Sequence, residues 1–370
     1  VVPKSAGHKK VFGPARKRAE LEKWEEDMER QSKTIGLTKV MLCISALAIF
    51  VAISGVFAVP VKADDEVTLR LDYVYYGGHV PFIAGIQKGI YKKHGLDVKA
   101  LEGTGSVNTV QLIASGSDDF GFPDSGVLIK ARGQGIPVKM IAGVMMKNPY
   151  VAIARQGEGF TDAKSLEKAK MAFSLTSSIE QSFPIFAASA GIDKDLIMSN
   201  IKQANDFGTR NALFHSKEAD TTFAYTTSVG GHSATCNCTL DVIKFSDYGV
   251  KIMANGIATS EAMIKKKPDV VARFAKATQE SLKFAKDNPA EARDLWFQYV
   301  KETSRTRDVV LAEWTAAIDL LETSATAGKP LGCMAQSDWQ ASVDQLSKTG
   351  QLKSKPTAAE LFSNEFLGNC

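Results

Sequence analysis

The sequence is 370 residues long, 44% hydrophobic and 23% charged, with five cysteines. A chain of this length can bury one large core or two moderate ones, and its composition excludes a disordered, fibrous or multi-spanning protein. The net charge of +4 gathers in the first 63 residues, which hold 11 of the 45 Lys and Arg and 6 of the 41 Asp and Glu, while the remaining 34 basic and 35 acidic residues nearly cancel; that argues against a nucleic-acid partner, because phosphate binding needs clustered basic surface on the folded domain.

The chain opens on a leader. Val40 to Val59 is a nearly unbroken apolar run, preceded by Lys33 and Lys39 and followed by Val61-Lys62-Ala63. A basic segment, an apolar core and small residues at the cleavage positions predict a signal peptide over 28–63, cut after Ala63 to leave Asp64 first and to deliver the protein to the periplasm. An uncleaved anchor is the competing expectation, since about 20 apolar residues can span a bilayer. Residues 1–27 are expected to be a non-native or disordered extension with no role in the fold, with Met28 the better start.

From Val67 onward short β-like runs alternate with helical ones, and no internal repeat is present; this is the signature of an α/β fold. Val67–Tyr75 reads as a strand, and Pro81 opens a helix to about His94 that Gly95 stops. Leu96–Leu101 is a strand, Ser106 caps a helix to Ala114, Phe120–Phe122 is a short strand, and Asp124 or Ser125 caps a helix to about Arg132. Pro137 precedes another strand. A second block has strands at Val151–Ala154, Met171–Leu175 and Ala219–Tyr225, with helices at Ser177–Ala190 and Thr209–His215. Lys251–Ala258 is extended and returns the chain to the first block. The last third is helical, from Pro268, Asn288-Pro289, Val309 and Ser337. The expected division is lobe 1 over 64–150 and 257–370, and lobe 2 over 151–256, with crossings near 147–152 and 251–258.

Five turns share one design, each following a strand and opening a helix: Tyr75 to His79, Gly103 to Ser106, Pro123 to Gly126, Ser174 to Ser178, and Phe223 to Thr227. In open α/β sheets, ligands sit beyond the carboxyl ends of strands, where helix N-termini offer free N–H groups. Taken singly, each turn is as well explained by ordinary capping and turn chemistry. Only five histidines are present, none in an HxH or HExxH pattern, so no metal is expected. His232 with Cys236 and Cys238 gives an H-x3-C-x-C spacing conceivable as a metal site, but an exposed loop is the favoured reading. Cys236 and Cys238 are one residue apart, which strains a direct disulfide. Cys333 and Cys370 are open to bridging in an oxidising compartment, with free thiols the alternative.

The stretch GGHVPFIAGIQKGIYKKHGLDVKALEGTGSVNTVQLIASGSDDFGF carries a resemblance. Through His79, Pro81, Gly89, Tyr91, Gly95, Leu96, Val98, Gly105, Ser106, Gly116, Asp119, Phe120 and Gly121 it resembles periplasmic binding proteins of the alkanesulfonate, taurine, nitrate and thiamine-pyrimidine-precursor type. The resemblance implies an α/β, bilobal Venus-flytrap fold of two α/β lobes joined by two crossing strands. It also implies a monomeric, non-enzymatic solute-binding component of an ABC importer, with a small-molecule ligand, permease subunits as partners and no cofactor. Carried over, the ligand-binding positions are Tyr76, His79, Thr104, Gly105, Ser106, Asp124, Ser177, Ser178 and Tyr225. Two alternatives share the fold. One is a ligand sensor for a receptor. The other is an enzyme like the eukaryotic synthases of the thiamine pyrimidine, which use a lysine-held pyridoxal phosphate and a cysteine-rich motif; here Cys236-Asn237-Cys238 matches that motif only faintly, and the first turn has no lysine. Because the five turns contain no Lys or Arg but several tyrosines, the expected ligand is a flat, nitrogen-bearing aromatic or pyrimidine-like solute between Tyr76 and Tyr225, with Asp124 accepting its N–H groups. A small sulfonate such as taurine is the runner-up.

Overall fold

The computed structural model describes residues 18, 19, 21–31, 33, 63–174 and 177–370. The chain divides into two units, Val1–Ala63 and Asp64–Cys370. In the first, the described residues between 18 and 33 are helical and leave Leu21, Trp24 and Met28 exposed. The apolar run Val40–Val59 and the pair Val61-Lys62 lie outside the described residues. Among the described residues no helix is long and apolar enough to cross a membrane.

The second unit holds two five-stranded sheets. The first is built from β1 (Asp65–Arg70), β2 (Leu96–Leu101), β3 (Phe120–Gly121), β4 (Val138–Gly143) and β10 (Gly256–Ser260), in the order β2-β1-β3-β10-β4. The second is built from β5 (Tyr150–Arg155), β6 (Met171–Ser174), β7 (Ile201–Ala204), β8 (Thr221–Tyr225) and β9 (Leu240–Lys244), in the order β7-β6-β8-β5-β9. Each sheet carries one strand antiparallel to both neighbours, β10 in the first and β5 in the second. These two are the strands by which the chain enters each sheet from the other, so the two α/β lobes are joined by two crossings. Every residue of β5 and of β10 is buried, as expected of strands covered on both faces. The crossing segments are bonded to each other through Met145 N to Asn255 O (2.7 Å), Ala254 N to Met145 O (2.9 Å) and Asn148 Nδ2 to Ile252 O (2.8 Å).

Helices fill the connections. In the first lobe these are α1 (Val80–Gln87), α2 (Ile90–Lys93), α3 (Ser106–Ser115) and α4 (Ser125–Gly133). In the second they are α5 (Ser178–Ala190), α6 (Lys194–Met198), α7 (Phe207–His215) and α8 (Val229–Cys236). After β10 come α9 (Glu261–Lys266), α10 (Pro268–Asp287), α11 (Pro289–Tyr299), α12 (Arg307–Ile318), α13 (Gln336–Lys348) and α14 (Ala358–Leu361). Pro268 and Pro289 occupy first-turn positions, where a missing N–H costs nothing. The buried stripe of α10, with Val271, Phe274, Thr278 and Leu282, packs on α1 and lays Phe274 on Phe120 at 3.8 Å between ring centroids.

Several sequence expectations are corrected. The first strand ends at Arg70 rather than Tyr75, and just beyond it the Asp72 side chain is held by His79 and Asn255. The helix expected from Pro81 to His94 is two helices, broken at Gly89 in the left-handed region (φ 76°). The region of His232 is a helix, with His232 buried on it, rather than an exposed loop. Cys236 and Cys238 are disulfide-bonded, with Cα atoms 5.2 Å apart. Asn237 between them takes a left-handed φ of 49° that turns the chain back on itself. Cys333 and Cys370 are bonded as well.

Candidate functional site

A cavity of about 420 Å³ lies between the lobes, a size usual for small-molecule sites. The first lobe supplies Asp72, Tyr73 and Tyr76 from the turn after β1, and Ser106 from the start of α3. The second supplies Ser178, Tyr225 and Thr227, then Phe207, Arg210, Asn211 and His215 along one face of α7, and Gly231, His232 and Thr235 of α8. The segment before α12 closes it with Arg305, and α12 adds Val309 and Glu313. That helix packs on the turn at Gly77–His79 on one side and on the turn at Thr226–Ser228 and α8 on the other. A second hollow of about 570 Å³ follows the crossing segments. Its lysines, Lys147, Lys244 and Lys251, stand exposed, so it is an open groove.

The ionic groups at the cavity are held by partners within the protein. Arg210 donates to Glu180 at 2.8 Å, both side chains being buried, and its remaining N–H groups reach Asn211. Arg305 Nε lies 3.2 Å from Glu313, whose other oxygen accepts from Gly77 N at 2.6 Å. Asp72 accepts from His79 Nε2 at 2.7 Å and from Asn255 Nδ2 at 3.2 Å. Since His79 Nδ1 accepts from the Tyr76 N–H, its proton sits on Nε2 and points at Asp72. Burial raises the Glu313 carboxyl, and the Arg305 guanidinium opposes that shift.

The walls are aromatic. Tyr73 of the first lobe meets Phe207 of the second edge-on at 4.9 Å. Tyr76 packs on His79 at 4.2 Å, and the Tyr225 hydroxyl lies 2.9 Å from Ser178 Oγ. Burial lifts the Tyr76 and Tyr225 phenols well above their usual range, so both stay neutral donors. His215 and His232 stack at 5.2 Å. Burial, with Arg210 nearby, holds His232 down at about 3, and burial with Arg155 nearby lowers His215. The pair is therefore two neutral imidazoles at physiological pH.

Of the nine positions expected from sequence, Tyr76, Ser106, Ser178 and Tyr225 line the cavity. The other five do not line it. His79 is fully buried behind Tyr76. Thr104 is exposed, and Gly105, at φ 130°, gives the backbone turn that starts α3. Ser177 caps α5 through Ile179 N. Asp124 caps α4 through Gly126 N and Val127 N, and its second oxygen accepts from the Tyr150 hydroxyl. Both oxygens are thus engaged inside the protein, and Asp124 is not among the residues lining the cavity. Burial pushes its carboxyl up to about 6. Two arginines outside the five turns, Arg210 and Arg305, also reach the cavity. The α7 face was readable in principle, since Phe207, Asn211 and His215 recur at four-residue spacing. Arg305 lies in an irregular segment with no periodic signal.

A sequence model of the family described as NMT1/THI5 like matches residues 77–292. The riboflavin-binding protein RibY of Chloroflexus aurantiacus is 23% identical over 314 residues, covering 82% of this chain and 86% of that protein. The 4-amino-5-hydroxymethyl-2-methylpyrimidine phosphate synthase THI11 of Saccharomyces cerevisiae is 30% identical over 111 residues, 30% of this chain and 32% of that protein. Among solved structures, the alkanesulfonate-binding protein SsuA from Xanthomonas axonopodis pv. citri bound to MOPS superposes with a TM-score of 0.63 at 11% identity, over 82% of this chain and 100% of that one. The fold is therefore that of the periplasmic binding proteins; at this identity it says nothing of the ligand.

Proposed function

The chain belongs to the NMT1/THI5-like family, and on that premise we propose that it is the extracytoplasmic solute-binding component of an ABC-type importer. In this reading the leader is removed after Ala63, residues 64–150 with 257–370 form one lobe and 151–256 the other, and the mature protein hands its ligand to permease subunits. The ligand is a flat, nitrogen-bearing heteroaromatic. The observation that carries this is the cavity, walled from both lobes by Tyr73, Tyr76, Phe207, Tyr225 and the neutral His215–His232 stack, with its two arginines already paired to Glu180 and Glu313. Such walls suit a planar ring; a small sulfonate would need uncompensated donors. The name of one relative that matches along most of the chain, a riboflavin-binding protein, points the same way.

The synthase relatives raise an enzymatic reading. An enzyme that holds pyridoxal phosphate through an imine needs a lysine, and none of the described residues lining the cavity is one. That supports binding without chemistry. A thermal-shift screen of the mature chain against riboflavin, free pyrimidines, taurine and nitrate tests the proposal. A ligand at about 100 times its dissociation constant adds about 2.7 kcal/mol of stability. The expected result is a shift with a heteroaromatic and none with taurine or nitrate. A shift with taurine alone refutes the ligand class, and a pyridoxal absorbance band in the purified protein refutes the non-enzymatic reading.

A further inference from the structure

Helix α12 is built onto the first lobe and also touches the second. Its buried side holds Val310 and Trp314, and Trp314 Nε1 donates to Ala285 O of α10 at 2.8 Å. At the turn after β1 the fit is closer still. A Cβ added to Gly77 would stand 2.3 Å from Glu313 Cβ and 2.6 Å from Val310 O, so no side chain fits between the turn and the helix. The Gly77 N–H donates to the Glu313 carboxylate at 2.6 Å, and Arg305 holds the same buried group. These contacts pin α12 to the first lobe.

Toward the second lobe the same helix presents Val309 and Glu313, one turn apart and so on one face. They meet α8 at a glycine. A Cβ added to Gly231 would stand 3.3 Å from Glu313 Oε1 and 3.9 Å from Val309 Cγ1, whereas one added to its exposed neighbour Gly230 would meet nothing within 4 Å. Glycine weakens a helix, and at 231 the missing side chain is what lets α12 come close. Among the described residues no hydrogen bond or ion pair joins α12 to α8 or to the turn Thr226–Ser228. The two sides of α12 therefore differ. One is interlocked and hydrogen-bonded; the other is plain van der Waals contact, which parts without leaving a polar group unpaired. We propose that α12 is the latch of the cleft: Glu313, as a positioning residue, fixes it to Gly77 of the first lobe, and closure seats it on the side-chain-free surface of α8 at Gly231. This rests on the two-lobed reading proposed above and not on the ligand class.

The experiment reads the free mature chain by small-angle scattering and uses no ligand, so its failure and that of the ligand screen are separate results. Gly231→Leu puts a side chain into the seat. Gly230→Leu is the control, because each variant removes one glycine from α8 and favours the helix to the same degree. Gly231→Leu is expected to raise the radius of gyration beyond the spread between wild type and Gly230→Leu, which should coincide. Exchange of the Gly77 amide, followed by NMR, reads the other side of α12. It should stay as slow as in wild type in Gly231→Leu, and become about tenfold faster in Glu313→Ala, the scale of a lost hydrogen bond to a charged group. Glu313→Gln, which keeps an acceptor, should stay slow. Thermal melts check that the variants fold, and Gly231→Val, with two methyl groups in the same place, serves if the leucine variant does not. A folded Gly231 variant as compact as wild type overturns the inference. Equal expansion in Gly230→Leu overturns it too, since the effect would then come from α8 itself. Loss of Gly77 protection in Gly231→Leu would show that α12 leaves with the second lobe, and overturns it as well.

Discussion

Two buried groups outside direct ligand contact, or at its edge, give opposite pH signatures. Asp124 has a folded pKa raised to about 6 by burial. The folded state then holds the proton more tightly than the unfolded chain, so its contribution is full below about pH 4 and is lost as pH rises through 6. Two pH units correspond to about 3 kcal/mol. His232 runs the other way. Its folded pKa is depressed to about 3 by burial and nearby Arg210, so stability is full above about pH 6.5 and is lost as pH falls towards 3. The two partly cancel between pH 4 and 6. Asp124→Asn keeps a capping oxygen but carries no charge. Melting temperatures across pH 4–7.5 should show this variant gaining on wild type as pH rises from 4 to about 6, with the difference level above that, and losing stability more steeply in acid. Parallel profiles for the two proteins would show that Asp124 does not titrate in this range. Asp124 also marks a limit of sequence reading. An aspartate before a helix was recognisable, and both capping and ligand contact were open; the structure shows the capping, and Tyr150, 26 residues on, folds against the other oxygen.

At the scale of elements, what was legible followed local rules. Helices α3, α4 and α5 have their boundaries within a residue or two of the capping and glycine signals at Ser106, Asp124, Ser177, Gly116 and Gly191. The elements that escaped are those whose sequence looks polar. β7 and β9 form the two edges of the second sheet, and Lys202, Gln203, Asp241 and Lys244 hide their alternation, as edge strands do. α8 begins Val-Gly-Gly and has weak helix propensity; its packing against α12 and the disulfide at its end hold it. The two disulfides should differ in weight. In the chain-entropy view a bridge stabilises in proportion to the logarithm of the loop it closes. Cys333–Cys370 spans 37 positions and ties the C-terminus to the segment before α13, whereas Cys236–Cys238 spans two. Denaturant titration of Cys333→Ser/Cys370→Ser should show a loss of about 3–4 kcal/mol. Cys236→Ser/Cys238→Ser should lose about half that or less. A larger loss from the short bridge would show that it holds α8 against the cavity by more than loop closure.

At the scale of the whole molecule, the cavity and the crossings are mechanically connected. Asp72, at the cavity, is held by Asn255 of the second crossing, and Asp124 by Tyr150 at the end of the first. The lobes also touch outside the crossings, where Lys130 Nζ donates to Gln181 O at 3.1 Å and Tyr73 meets Phe207. These contacts describe a closed cleft, and a ligand gripped from both lobes would need them to part before it could enter. Opening by rotation about two short crossings is the movement such a connection permits. The apparent affinity then equals the intrinsic affinity scaled by the closed fraction. Lys130 offers a way to test this without touching the ligand, because it does not line the cavity. Burial lowers its amine to about 8, so it still donates as a cation at neutral pH. Lys130→Met removes the cross-lobe bond and should shift the population towards open. The expected outcome is a few-fold weaker ligand binding, seen as faster dissociation, together with a larger radius of gyration by small-angle scattering in the free protein. Saturating ligand should compact wild type and variant to the same value. Superimposable scattering of wild type with and without ligand would mean that the cleft does not open as a hinge, and unchanged dissociation from Lys130→Met would mean that this bond does not hold it shut.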